Sequence, residues 1–302
     1  MSQLPTHVTI REVALRDGLQ IEAPLPLAAK IELLEAIVAT GVREVEATAF
    51  VSPSKVPALA DAPELAAALA NFPDNVEFSA LVASPNGAHR AIAAGLGTIE
   101  YVVSAADAHS LANVGRTTAQ ASAQIAEIVA IAHHSGVRVE VIIATAWDCP
   151  FDGPTPPQRV LDVVSIATAA GADRLAIADT IGTATPRRVQ SLIDQVRPLL
   201  SGLPLGAHFH NTRGAGLASA YAAISAGVTR LDASVGGLGG CPFAPGASGN
   251  IATEDLVYLL RDSDIHTDVH LPAAINAAAV AQRLVGHQLP SALLRAGDRL
   301  PG

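Results

Sequence analysis

His208-Phe-His210 places two imidazoles two residues apart at the end of a run of strand-forming residues. On a strand, residues i and i+2 point to the same side, so both rings would face one way. Two co-directed histidines and a carboxylate from another strand can hold a divalent cation. The alternative is a chance pair with one ring buried and one exposed. Asp17, in Arg16-Asp17-Gly18-Leu-Gln20, supplies a carboxylate, and Asn250 an amide oxygen. With those two the ligand reading is the better one. A mixed nitrogen and oxygen shell with open positions suits Mg2+ or Mn2+, whereas zinc more often brings a thiolate or a third histidine.

Other residue types around this set could act on a bound substrate. A guanidinium at Arg16 could stabilise an enolate or thioester oxygen as charge develops; a simple surface pair with Asp17 is the competing reading. Glu46 lies inside an apolar run, where a carboxylate is costly unless it is paired or supports a metal site. Its competing role is a salt bridge to an arginine of the same interior. Asp179-Thr180 closes another strand-like run. Cys241 sits in Gly236-Gly-Leu-Gly-Gly-Cys241-Pro-Phe-Ala-Pro-Gly-Ala-Ser-Gly-Asn250, a segment too rich in glycine and proline to form a packed core. That segment reads as a mobile lid carrying a thiol. Cys149 has no such setting and reads as a small buried hydrophobe.

These residues need a scaffold that brings distant segments to one end. A pattern of alanine-rich stretch, glycine, and β-branched run recurs at Gly41, Gly95, Gly136, Gly171 and Gly227. Glycine after a helix takes the left-handed conformation that ends it, and the run that follows is the strand of a βαβ unit. Eight strands are expected near 7–13, 43–49, 76–83, 98–104, 138–145, 173–179, 204–210 and 229–235. Caps are expected at Asp61, Thr155-Pro156 and Thr185-Pro186. Eight alternating units predict an α/β fold, a closed (β/α)8 TIM barrel, with a doubly wound open sheet as the rival. The first strand lacks a following Gly-x-Gly-x-x-Gly, which weakens that rival. Residues 1–302 read as a single catalytic domain, with a C-terminal helical extension from about 253. In such a barrel the active groups come from the C-terminal strand ends, where every cluster above falls.

Composition narrows the function classes. The chain has 302 residues, is 50% hydrophobic and carries a net charge of −9. That charge argues against nucleic acid, since phosphate binding needs a basic face. No apolar run approaches the roughly 20 residues that span a bilayer, so no membrane association is expected. Two cysteines exclude a disulfide framework, and the first residues lack the features of a signal peptide; both point to the cytoplasm.

Glu12-Val-Ala-Leu-Arg-Asp-Gly-Leu-Gln, Glu46-Ala-Thr-Ala-Phe-Val-Ser-Pro, Asp179-Thr-Ile-Gly, His208-Phe-His and the Cys241 segment through Asn250 resemble the hydroxymethylglutaryl-CoA lyase family over nearly the whole chain. The Cys241 motif is the most specific part; Arg-Asp-Gly is shared with a wider superfamily that includes isopropylmalate and citramalate synthases. The resemblance implies cleavage of 3-hydroxy-3-methylglutaryl-CoA (HMG-CoA) to acetyl-CoA and acetoacetate, as in leucine degradation, by a homodimer acting on a small acyl-CoA. It implies Asp17, His208, His210 and Asn250 as metal ligands. Arg16 would bind the thioester oxygen, Glu46 would support the metal site, Asp179 would lie beside the substrate, and Cys241 would bring a proton donor. The chain departs from the family at Leu15, Ile21, Asn211 and Gly115, positions expected around the acyl pocket. The alternatives are the same cleavage on another 3-hydroxyacyl-CoA, or a condensing synthase acting on a 2-oxo acid.

Overall fold

A computed structural model of the chain describes residues 4–240 and 249–299. Eight parallel strands close into a barrel: β1 (Thr9–Glu12), β2 (Glu44–Phe50), β3 (Glu77–Val82), β4 (Thr98–Ser104), β5 (Arg138–Ala144), β6 (Arg174–Asp179), β7 (Leu205–Phe209) and β8 (Arg230–Ala233). Each pairs with the next, and β8 pairs with β1 to complete the ring. The TIM barrel read from the sequence is therefore the fold, and all eight expected strands are present.

Helices ring the barrel. They include α1 (Leu27–Val38), α2 (Ala62–Ala68), α3 (Pro85–Ala93), α4 (Asp107–Val114), α5 (Thr118–Ser122), α6 (Ile125–His134), α7 (Pro157–Ala169), α8 (Pro186–Val196) and α9 (Gly216–Ser225). Beyond β8 come α10 (Thr253–Asp262), α11 (Leu271–Val285) and α12 (Ala292–Ala296), which form the expected C-terminal extension. The glycines at 41, 95, 136, 171 and 227 all have positive φ, as the helix-ending pattern requires. The expected caps differ in detail. Asp61 and Thr185 occupy N-cap positions without capping through their side chains, and α7 starts after Pro156 rather than after Thr155. Asp61 instead pairs with the buried Lys30 ammonium.

The main hydrophobic core lies between strands and helices, with Val45, Ile99, Val141, Ile177 and Phe209 facing outward into it. Strand alternation then sends the intervening residues into the barrel. Those interior positions are mostly charged. Arg11, Glu100, Glu140 and Asp232 meet at the centre, and Arg230 reaches Glu140 at 2.6 Å. Below them, Glu77 takes Arg138 at 2.7 Å and Arg174 at 2.8 Å. Above, Ile142, Ala176 and Ala178 form a small apolar cluster with Val102 against it. The barrel is thus plugged by ion pairs beneath a shallow apolar wall.

Candidate active site and metal centre

Both histidines of the His-x-His run point into the barrel mouth, with ring centroids 4.9 Å apart. Each is held through Nδ1: His208 by Asp232 Oδ2 at 3.1 Å, and His210 by the Thr180 carbonyl at 2.8 Å. A carbonyl can only accept, so Nδ1 of His210 carries the proton and Nε2 presents its lone pair. The Asp232 carboxylate imposes the same tautomer on His208.

Asp17 comes from a π-helical turn over Ala14–Gly18, directly after β1. Its Oδ1 accepts from Arg16 Nη1 at 2.7 Å and Gln20 Nε2 at 3.0 Å, while Oδ2 accepts from Asn250 Nδ2 at 2.8 Å. Burial pushes its carboxyl upward, but the Arg16 guanidinium beside it opposes this, and the carboxyl lies well below the usual range. It is therefore anionic at any ordinary pH. Asp17, His208 and His210 offer ligand atoms that all lie within 4.8 Å of one another.

The donor set fits a hard divalent cation. His210 Nε2 is buried 3.5 Å from Asp17 Oδ2 without a hydrogen bond, and Asn250 Oδ1 is likewise buried with no partner. Buried polar atoms are rarely left unpaired. Here a lone pair on nitrogen and one on an amide oxygen stand beside an anionic carboxylate, which is what a cation would satisfy. All four expected ligands are thus brought together, Asn250 through its contact with Asp17.

Arg16 is buried and bridges two acids, with Nη1 on Asp17 and Nε 2.7 Å from Glu46 Oε1. Glu46 therefore supports the site through Arg16 rather than by touching the ligand set. Its carboxyl is pushed well above the usual range by burial, with Arg16 opposing and the Glu100 carboxylate reinforcing the rise. The neighbouring Glu100 carboxylate thus favours a proton on Glu46.

Asp179 is not brought to the cluster. It ends β6 on the face opposite Ala178, and its oxygens accept from the amides of Thr183 and Ala184. Those two bonds shape the loop before α8. Asn211 is also turned to its own loop, accepting from Gly216 N at 3.0 Å, and Ile21 is 46% exposed. Cys241 lies outside the described residues, as does most of its loop. The base of that loop is described: Gly236 N donates to both Glu254 oxygens at 3.1 Å, and Val235 N to Glu12 at 3.0 Å. Burial raises Glu12 to about 8 and Glu254 to about 7.

A family model described as HMGL-like matches residues 7–280. The chain belongs to the HMGL-like family. Among relatives, the (R)-citramalyl-CoA lyase of Chloroflexus aurantiacus is 38% identical, covering 97% of this chain and 96% of that one. The hydroxymethylglutaryl-CoA lyase YngG of Bacillus subtilis is 35% identical, covering 95% and 96%. A solved HMG-CoA lyase from Acinetobacter baumannii, in complex with coenzyme A and 3-methylmalate, superposes with a TM-score of 0.94 at 38% identity, covering 100% and 99%. Like these HMGL-like relatives, the chain is a carbon–carbon lyase. Among its described residues, no helix is long and apolar enough to cross a membrane.

Sequence reasoning missed three interior residues beneath the site, Arg11, Glu100 and Asp232, and with them Glu140, which joins Arg11 to Arg230 away from it. Each is a charge inside a strand-forming run, as in Ile-Arg-Glu, Ile-Glu-Tyr and Val-Glu-Val. That pattern was the available signal, since a charge there must be paired.

Proposed function

We propose that this chain cleaves a 3-hydroxyacyl-CoA between C2 and C3, releasing acetyl-CoA and a keto acid, with HMG-CoA as the leading substrate. The convergence of Asp17, His208, His210 and Asn250, two of them with unpaired buried lone pairs, carries this reading. These residues would hold a divalent cation, Mg2+ or Mn2+, whose Lewis acidity would ease transfer of the 3-hydroxyl proton to a base. The residues do the rest. The hydroxyl carbon becomes a ketone as the C2–C3 bond breaks, and the electron pair moves onto the acetyl thioester as an enolate. Arg16, fixed between Asp17 and Glu46, holds that developing charge in a site with little water. Cys241, at the loop pinned by Glu12 and Glu254, delivers the proton that C2 needs to become acetyl-CoA.

A specific observation favours a second substrate. The wall of Val102, Ile142, Ala176 and Ala178 offers no donor to a carboxylate directed away from the ligand set. Citramalyl-CoA, whose carboxylate sits on the hydroxyl carbon itself, would instead bring both groups to the ligand set. The relative at 38% identity acts on that thioester. Incubating the Mn2+-loaded protein with HMG-CoA and with each citramalyl-CoA enantiomer tests both. Acetyl-CoA with acetoacetate supports the first, and acetyl-CoA with pyruvate the second. Release of acetyl-CoA from none of them refutes the reading.

A further inference from the structure

Arg11 is a large side chain only 1% exposed, and no step of the proposed reaction uses it. It lies on β1 among three carboxylates. Nε and Nη2 take the two oxygens of Asp232 at 2.8 and 2.7 Å, while Nη1 reaches Glu100 at 2.5 Å and Glu140 at 2.6 Å. Two of these acids lead to the active site by different routes. Asp232 accepts from His208 Nδ1 through the oxygen that also takes Arg11 Nη2. Glu100 accepts from Ser79, the register partner of Glu46 on the adjacent strand, and Glu46 lies against Arg16 Nε at 2.7 Å. The third acid, Glu140, turns to Arg230 and reaches neither route.

We infer that Arg11 is a positioning residue that sets both halves of the site from below: through Asp232 it fixes the His208 ring, and through Glu100 and Glu46 it fixes the Arg16 guanidinium. The inference rests on the proposed metal site and reaction. A planar fork is what the task requires. Asp232 must hold one carboxylate plane for Nδ1 of His208 to donate along it, and a bidentate guanidinium defines that plane where a single ammonium does not. The partners that orient a metal-binding imidazole govern metal affinity as well as ring orientation.

The test begins with Arg11→Lys, which keeps the charge and removes the fork. Mn2+ binding is measured without substrate, from the paramagnetic resonance signal of free Mn2+, alongside kcat and KM for acetyl-CoA release at saturating Mn2+. Mn2+ affinity should fall about 10–100-fold, in the range seen when partners of metal ligands are lost. At saturating Mn2+, kcat should fall about tenfold or more while KM moves little. Two variants separate the routes. Asp232→Asn should weaken Mn2+ binding, and Glu100→Gln should lower kcat with Mn2+ binding intact. Glu140→Gln is the control: it removes a carboxylate from the same arginine but should leave Mn2+ affinity and kcat within about twofold. A folded Arg11→Lys protein with wild-type Mn2+ affinity overturns the inference. So does a Glu140→Gln protein as impaired as Arg11→Lys, which would reduce the cluster to a general structural role. If Arg11→Lys does not fold, the route variants decide, and wild-type Mn2+ binding in Asp232→Asn refutes it. A wild-type protein that binds Mn2+ yet cleaves no thioester removes the reaction and leaves the Asp232 route standing, so the two failures are distinguishable.

Discussion

Replacing Arg16 by lysine separates charge from geometry at the reacting end of the site. The guanidinium makes two contacts on diverging acids, Nη1 to Asp17 and Nε to Glu46, and one ammonium nitrogen cannot make both. The ground state should survive this. Asp17 keeps Gln20 and Asn250 as donors, so a ligand oxygen stays oriented and Mn2+ affinity should shift by less than about tenfold. Burial already favours the protonated form of Glu46, so lost stability should lie near 1.5 kcal/mol, about the low end for a charge-assisted bond. The transition state should suffer more. Loss of a preorganised donor aimed at developing charge costs on the order of 10²–10³ in rate, or ~3–4 kcal/mol. The assay is acetyl-CoA release at saturating Mn2+, with kcat and KM determined separately and Mn2+ binding measured in parallel. The expected signature is a collapse of kcat with KM nearly unchanged. A near-normal kcat would mean that Arg16 is a structural or substrate-binding residue and that the enolate has another stabiliser.

Chelation should abolish turnover, and either Mg2+ or Mn2+ should restore it; activity that survives exhaustive chelation would remove the metal from the reading. Gly249→Ala should cut Mn2+ affinity and turnover together, because its Cβ would stand 2.3 Å from the Gly239 carbonyl and displace the neighbouring Asn250. An alanine at Gly95, where nothing lies within 4 Å, carries only the backbone strain of φ +89° and should leave Mn2+ binding alone. Glu12 and Glu254, raised to about 8 and 7 by burial, bind protons more tightly folded than unfolded. Their contribution is therefore full below about pH 4.5 and is lost as pH rises through 7–8. The low-lying Asp17 and Asp232 act oppositely: their contribution is present above about pH 4 and is lost as pH falls below that. The metal-free protein should thus melt highest on the acid side of neutrality, and Glu254→Gln should flatten the decline towards pH 8.5 by on the order of 3 kcal/mol. An unchanged decline in that variant would exclude Glu254 as a source.

The barrel and much of the site were legible because both rest on local spacing. Glycine before five of the eight strands marked the βα repeat, and the i, i+2 spacing of His208 and His210 stated which way both rings point. Asp17 and Asn250 were found because each lies next to glycine-rich segments at strand ends. The orientation of Asp179 was not legible for a comparably local reason: the last residue of a strand can face the barrel or the helices, and the amides of Thr183 and Ala184 hold this one. The network beneath the site was not legible as a network. Arg11, Glu100, Glu140 and Asp232 come from four strands, and only closure of the ring makes them neighbours.

The plugged interior also constrains how this sequence can drift. A lone replacement at Arg11, Glu140 or Arg230 strands a buried charge, at about 3–5 kcal/mol, whereas exchanging a whole buried ion cluster for well-packed hydrocarbon is often neutral or better. Nearly every one-step neighbour of this plug is therefore less fit, although distant alternatives can be equally sound. The ground between them is crossed only by compensated, near-simultaneous changes. The rim above is under no such restriction: a one-residue change at Val102 or Ala178 remodels the mouth without unpairing anything. Such a barrel can shift its preference among related thioesters in small steps while its floor stays locked.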